Sequence, residues 1–203
     1  TGVGDHLTVN SGVTVENTTG ALVLNAGDDL NLNTGSTVRA LGVGGTLDLN
    51  LDAGDNDGGG ETANINGSVS AAVGPITLDD SGDPNTVIID SNGGGANNGG
   101  TADNVLTNLQ INAGGGSDTL TLDDSGDPSA DVAVAISNDN VAGGNGTVTG
   151  LTGVSIEFNS VAAVNVNLSS LAAAADGDQI TVTPNAGTTY TLNGNDPTSL
   201  PGD

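Results

Sequence analysis

Two nearly identical nine-residue blocks hold the residues best able to do chemistry in this chain: 76–84 (ITLDDSGDP) and 120–128 (LTLDDSGDP). Each is a short strand of alternating apolar residues followed by three carboxylates, Asp79, Asp80 and Asp83 in one, Asp123, Asp124 and Asp127 in the other. Carboxylates at that spacing can converge as oxygen ligands for a hard cation such as calcium. A solvated acidic turn ended by proline is the equal alternative.

Just upstream of the second block, residues 113–121 (AGGGSDTLT) follow the calcium nonapeptide Gly-Gly-x-Gly-x-Asp-x-apolar-x, with Ala113 in place of the first glycine. In that motif Asp118 is the ligand and Leu120 the core residue. No in-register second copy follows, although such sites take ligands from successive turns. Gly-Asp pairs precede strands at Asp5, Asp28 and Asp178. For these, a carboxylate capping its own turn competes with metal binding. The stretch 52–61 carries several acids and reads as a surface loop that could hold an ion.

These groups sit in a chain of 203 residues with 25 Asp or Glu, one arginine (Arg39), one histidine (His6), no lysine and a net charge of −24. Phosphate-bearing partners and anionic membranes are repelled by such a surface, which argues against nucleic-acid binding. The charge calls instead for counter-ions, and calcium is the expected cofactor. With no cysteine there is no disulfide framework and no thiolate metal site, so ions could serve as staples in a calcium-rich extracellular medium. Neither a signal segment nor an apolar run of membrane-spanning length is legible.

Catalysis is disfavoured. A lyase acting on acidic polysaccharide needs cationic residues, and Arg39 is the single guanidinium. A two-carboxylate glycosidase normally adds aromatic platforms, for which only Phe158 and Tyr190 are available. His6 has no triad partner in the sequence and reads as a surface residue. Threonine-rich strands could form a flat ladder of the ice-binding kind, but outward positions vary among Thr, Asn, Asp and Val.

The elements that must position these residues are legible from a second repeat. Residues 5–15 (DHLTVNSGVTV) realign with 28–38 (DDLNLNTGSTV) after 23 residues. Strand-like triplets at 7–9, 13–15 and 22–24 are answered by triplets at 30–32, 36–38 and 47–49. Three short strands per unit, joined by Asn-Ser-Gly and Asn-Thr-Gly corners, predict an all-β parallel β-solenoid, or β-helix. The 44 residues between the blocks at 76 and 120 then suggest two such units. The expected organisation is regular turns of about 23 residues over 1–73. A less regular β region with Gly/Asp-rich loops occupies 74–203, continuous with the first. Strands are expected there at 76–78, 87–89, 105–111, 120–122, 132–136, 154–158, 164–168, 180–182 and 190–192, and 171–175 could form one helical turn. Antiparallel sandwiches are the alternative, and the near-identity of strands one unit apart weighs against them.

The segments 24–32 (LNAGDDLNL), 115–122 (GGSDTLTL), 154–158 (VSIEF), 164–168 (VNVNL) and 190–197 (YTLNGNDP) give the chain its family cadence. In these it resembles the repeat regions of large bacterial secreted and surface proteins, of the repeats-in-toxin-like and haemagglutinin-like adhesin type. The resemblance implies an extracellular or cell-surface structural module of a filament, sheath, surface layer or adhesin; the charge adds calcium as its stabiliser, and the scarcity of basic and aromatic residues weighs against an enzyme. The alternative is a calcium-dependent glycan- or cell-binding adhesion module. Expected partners are copies of itself, in a filament or tandem array, and a glycan or cell surface. Asn17, Asn66, Asn145 and Asn167 stand in Asn-x-Ser/Thr sequons.

Overall fold

The computed structural model describes residues 5–53, 59–80, 83–94, 98–128, 131, 133–138, 145–168 and 178–194. The architecture is all-β, a parallel solenoid whose coils contribute strands to three sheets. The first coil carries β1 (Leu7–Val9), β2 (Thr14–Asn17) and β3 (Leu22–Asn25). The second carries β4 (Leu30–Leu32), β5 (Thr37–Ala40) and β6 (Leu47–Asn50), and the third β7 (Thr62–Ile65), β8 (Ser68–Ala71) and β9 (Ile76–Asp79). Alternation sets the faces: in β4 and β6 the leucines point inward and are fully buried while Asn31 and Asp48 point outward.

After the third coil the pattern changes. The fourth coil has β10 (Thr86–Ile89) and β11 (Leu109–Asn112), and the second sheet is continued only by a bridge from Val69 to Val105. The strand expected over 105–111 is therefore split. The fifth coil runs from β12 (Thr119–Asp123) through β13 (Val134–Asn138) and β14 (Gly146–Thr149) to β15 (Ile156–Asn159). Then come β16 (Ala163–Asn167), β17 (Ile180–Val182) and β18 (Thr189–Asn193). Here β14 pairs antiparallel with both β13 and β15, while β17 pairs parallel with β13. The reversal is allowed sterically by Gly146, which faces Phe158: a Cβ there would lie 2.4 Å from the phenyl Cζ. The buried ring fills the space that the glycine leaves.

Register shows that coil length is not constant. Leu7 pairs with Leu30, a step of 23 residues, but Leu30 pairs with Ala63, Thr86 with Thr119 and Thr119 with Ala163. This corrects the reading of the 44-residue interval as two units. Ile76–Asp79 lies in the third sheet between β6 and β11, whereas Thr119–Asp123 lies in the first between β10 and β16. The two blocks therefore end at different corners of the solenoid. The cause is the long connection between β10 and β11, which adds chain without adding a coil. The helical turn considered at 171–175 lies outside the described residues.

One aliphatic core runs through the coils, from Val9 and Leu30 to Val166 and Leu168, with Phe158 as its aromatic member. Stacked asparagines close the corners. Asn50 Nδ2 donates to Asn25 Oδ1 at 2.7 Å, Asn112 Nδ2 to Asp79 Oδ1 at 2.7 Å, and Asn159 Nδ2 to Asn112 Oδ1 at 2.7 Å. Such ladders satisfy side-chain amides from one coil to the next. Among the described residues no helix is long and apolar enough to cross a membrane.

Candidate metal centre

The second acidic block forms the corner where the chain leaves β12. Over it lies the segment 98–102 of the preceding coil, held by donors that point at the block. Asn98 N donates to Asp123 Oδ2 at 3.1 Å, Gly99 N to Ser125 Oγ at 2.9 Å, and Ala102 N to Asp124 Oδ1 at 2.9 Å. Gly126 N returns a bond to Gly100 O at 2.8 Å. The approach is close enough that a Cβ on Gly126 would lie 2.0 Å from the Gly99 carbonyl oxygen. Asp123, Asp124 and Ser125 are thereby buried.

Asp124 is the centre of the arrangement. Its Oδ1 takes the Ala102 amide, while Oδ2 is buried and accepts no hydrogen bond. Oxygen atoms of Asp124, Asp127 and Asp131 lie within 4.8 Å of one another, and among the described residues this is the one acidic or histidine group of three or more so placed. A calcium ion with oxygens at about 2.4 Å bridges such a separation. Burial pushes the Asp124 carboxyl up to about 7, an effect that the Ala102 amide opposes and that the charges of Asp131, Asp127 and Asp103 reinforce. Asp103 is itself raised, by burial and then by Asp127. A buried carboxylate oxygen facing like charges needs a proton or a cation, and the donor set here is purely oxygen, the preference of a hard ion.

Asp131 ties this corner to the far part of the fold. Its amide donates to Asp178 Oδ1 at 2.9 Å, and its carbonyl accepts from Gln179 N at 2.8 Å. Asp178 thus holds the backbone of a cluster member. Sequence reasoning placed Asp124 and Asp127 together and missed Asp131, which lies outside every motif, three residues beyond Pro128. The available signal was that Asp131 is the next acid after the block.

The other expected ligands have separate positions. Asp123 spends Oδ1 on Ser125 N at 3.2 Å and Oδ2 on the Asn98 amide. Asp118 is buried, and its Oδ1 accepts the Asn85 amide at 2.9 Å. Burial raises its carboxyl, against hydrogen bonds from the Asn85 and Asp118 backbone amides, and its Oδ2 is buried and accepts no hydrogen bond. Asp80 accepts from Asn85 Nδ2, so Asn85 spans the two acids. Asp79 is exposed on the asparagine ladder, and Asp83 is half-buried, its carbonyl packed against Gly116. Asp28 Oδ2 accepts the Asp5 amide of the neighbouring coil at 2.8 Å, a bond between coils rather than within a turn. In the stretch 52–61, Asp52 and Glu61 are buried, and 54–58 lie outside the described residues.

A shallow groove of about 400 Å³ runs past Gly115, Gly116, Ser160, Val161 and Ala186, and among the described residues no ionisable side chain lines it. His6 is exposed and its Nδ1 lies 3.2 Å from Asp29 Oδ2, while Arg39 Nε is 2.5 Å from Glu16 Oε2, so each basic side chain faces an acid of an adjacent coil. No model of a known protein family matches the chain, and neither a curated protein nor a solved structure does.

Proposed function

We propose that the chain is a structural module of a bacterial extracellular filament, sheath, surface layer or adhesin, with a calcium ion held by Asp124, Asp127 and Asp131 as a staple at the corner between β12 and β13. The observation that carries the reading is the buried, undonated Oδ2 of Asp124 beside two further carboxylates at a solenoid corner. A continuous aliphatic core with laddered corners supplies stiffness along the coil axis, a mechanical property. The net charge of −24 favours a hydrated surface and a cation-dependent assembly.

Isothermal titration with calcium and magnesium, followed by negative-stain microscopy with and without chelator, tests both halves. Calcium binding at a defined stoichiometry, with filaments or rods that dissolve on chelation, is the expected result. Absence of calcium binding removes the staple. Monomeric particles under all conditions, with glycan-array binding that chelator abolishes, would replace the structural role with adhesion to a glycan.

A further inference from the structure

Three connections converge on the acidic corner, and they do not belong to one coil. Asp124 leaves β12 and receives the Ala102 amide from the coil before it. Asp131 precedes β13, and its main chain extends the β13–β17 ladder: Gln179 N to Asp131 O at 2.8 Å, then Val134 N to Gln179 O at 3.1 Å, then Thr183 N to Ile136 O at 2.8 Å. Asp178 adds its carboxylate to the Asp131 amide at 2.9 Å. The strand that these bonds secure is shallowly packed. Ile180 and Val182 of β17 are only half-buried, whereas both leucines of β4 and both of β6 are fully buried.

Resting on the cation reading of the Asp124 corner, we infer that calcium there acts as a regional latch: its binding docks β13 and β17 onto the solenoid and leaves the first three coils unaffected. Without the ion, repulsion among the ionised carboxylates of the cluster loosens Asp131 from it. That force acts directly on the start of β13 and, through Asp178 and Gln179, on the start of β17. With the ion, the same three oxygens become a cross-link. Segments with little apolar burial open at low free energy, so β17 and β13 are where a change in cation occupancy is felt. The second and third coils carry no such group among their described residues and serve as an internal control.

Hydrogen exchange read by mass spectrometry on the full chain, in calcium chloride and in chelator, tests the latch, with calorimetric titration of calcium alongside. At calcium about ten times its Kd, amides of β13 and β17 gain about tenfold in protection, and those of β4–β6 do not change. Calcium that binds by calorimetry while protection stays flat, or rises evenly over all coils, overturns the latch and leaves the site standing. Calcium that does not bind overturns the site and the latch together. Asp131→Asn supplies the discriminating sign. It relieves repulsion and removes a ligand, so in chelator it protects β13 and β17 better than the native chain does, and calcium adds nothing. Asp127→Asn gives the same pattern without touching a residue of the Asp131–Asp178 bond. Equal calcium-induced protection in both variants and the native chain would overturn the proposal.

Discussion

The hexapeptide Asp-Asp-Ser-Gly-Asp-Pro occurs twice, and its two copies have different environments. At 79–84 it closes a strand of the third sheet. Asp79 is exposed on an asparagine ladder, Asp80 is held by Asn85, and the chain passes through Pro84 straight into β10. At 123–128 it closes a strand of the first sheet, beneath the segment 98–102, and its first two acids are buried. The residue four positions after the third acid is Val87 in the first copy, a core residue of β10, and Asp131 in the second, the third member of the cluster. Identical ligand-rich sequence becomes the tighter acidic cluster where the chain beyond it brings a further carboxylate, Asp131, within 4.8 Å of the oxygens of Asp124 and Asp127.

The comparison breaks most severely at Gly126. Gly126→Val places a side chain where the Gly99 carbonyl already sits, so the cover must lift. The expected loss is about 4 kcal/mol in denaturant unfolding, with loss of calcium binding by calorimetry.

The pH response of the ion-free chain comes next. Asp124 holds its proton up to about pH 7 in the folded state against 3.8 in the ordinary carboxyl. The folded state therefore binds more protons between those values. The stabilisation is complete below the lower value and is lost as pH rises through the upper one. In chelator, stability should fall by up to roughly 3 kcal/mol between pH 4 and 8 from this group. Calcium should abolish or reverse that slope, because the ion replaces the proton. A chelated chain that gains stability over the same interval would contradict the burial of Asp124 among like charges.

Asp124→Ala should weaken calcium binding by roughly 100-fold in titration calorimetry, a change of about 2.7 kcal/mol. Asp80→Ala should leave that affinity within about twofold, since each twofold change is only ~0.4 kcal/mol. Equal losses would mean that the two copies work alike. The smallest effect is expected at Asp79, an acceptor-only group in a row of amides. Asp79→Asn keeps the bond from Asn112 and adds a donor toward Asn50, its register partner. A gain of about 0.5–1 kcal/mol in unfolding experiments, with calcium affinity unchanged, is the expected result.

Much of the fold was legible because its signals are local. The 23-residue realignment of 5–15 with 28–38 corresponds to the pairing of Leu7 with Leu30 and of Val15 with Val38. The alternation of each triplet gave the inward residues. What failed was counting: near-identity of two blocks implied stacking, yet coil length depends on connections such as 90–108, whose Gly, Asn and Asp residues carry no period. The antiparallel β14 was likewise invisible, since it depends on Gly146 lying opposite Phe158, a pairing between coil positions that no short motif records. At the site, Asp124 and Asp127 were legible from the block, while Asp118, singled out by the nonapeptide, stands apart from that cluster, with Oδ1 on the Asn85 amide and Oδ2 buried without a hydrogen bond. Asp131 was missed because what qualifies it is proximity in space, set by the path of the chain after Pro128.

Gly146 and Phe158 also bear on how such a chain can change length. In the second coil every strand has a parallel neighbour in register on both sides, so that coil could be duplicated or excised and the flanking strands would still meet equivalent partners. The reversed strand β14 has no such interchangeable neighbour, because its two partners run opposite to it and one of them must present an aromatic ring to a glycine. Growth by repeat copying is thus open at the second coil and opposed across β13–β15, which makes this one storey a fixed reference point for the turns on either side of it.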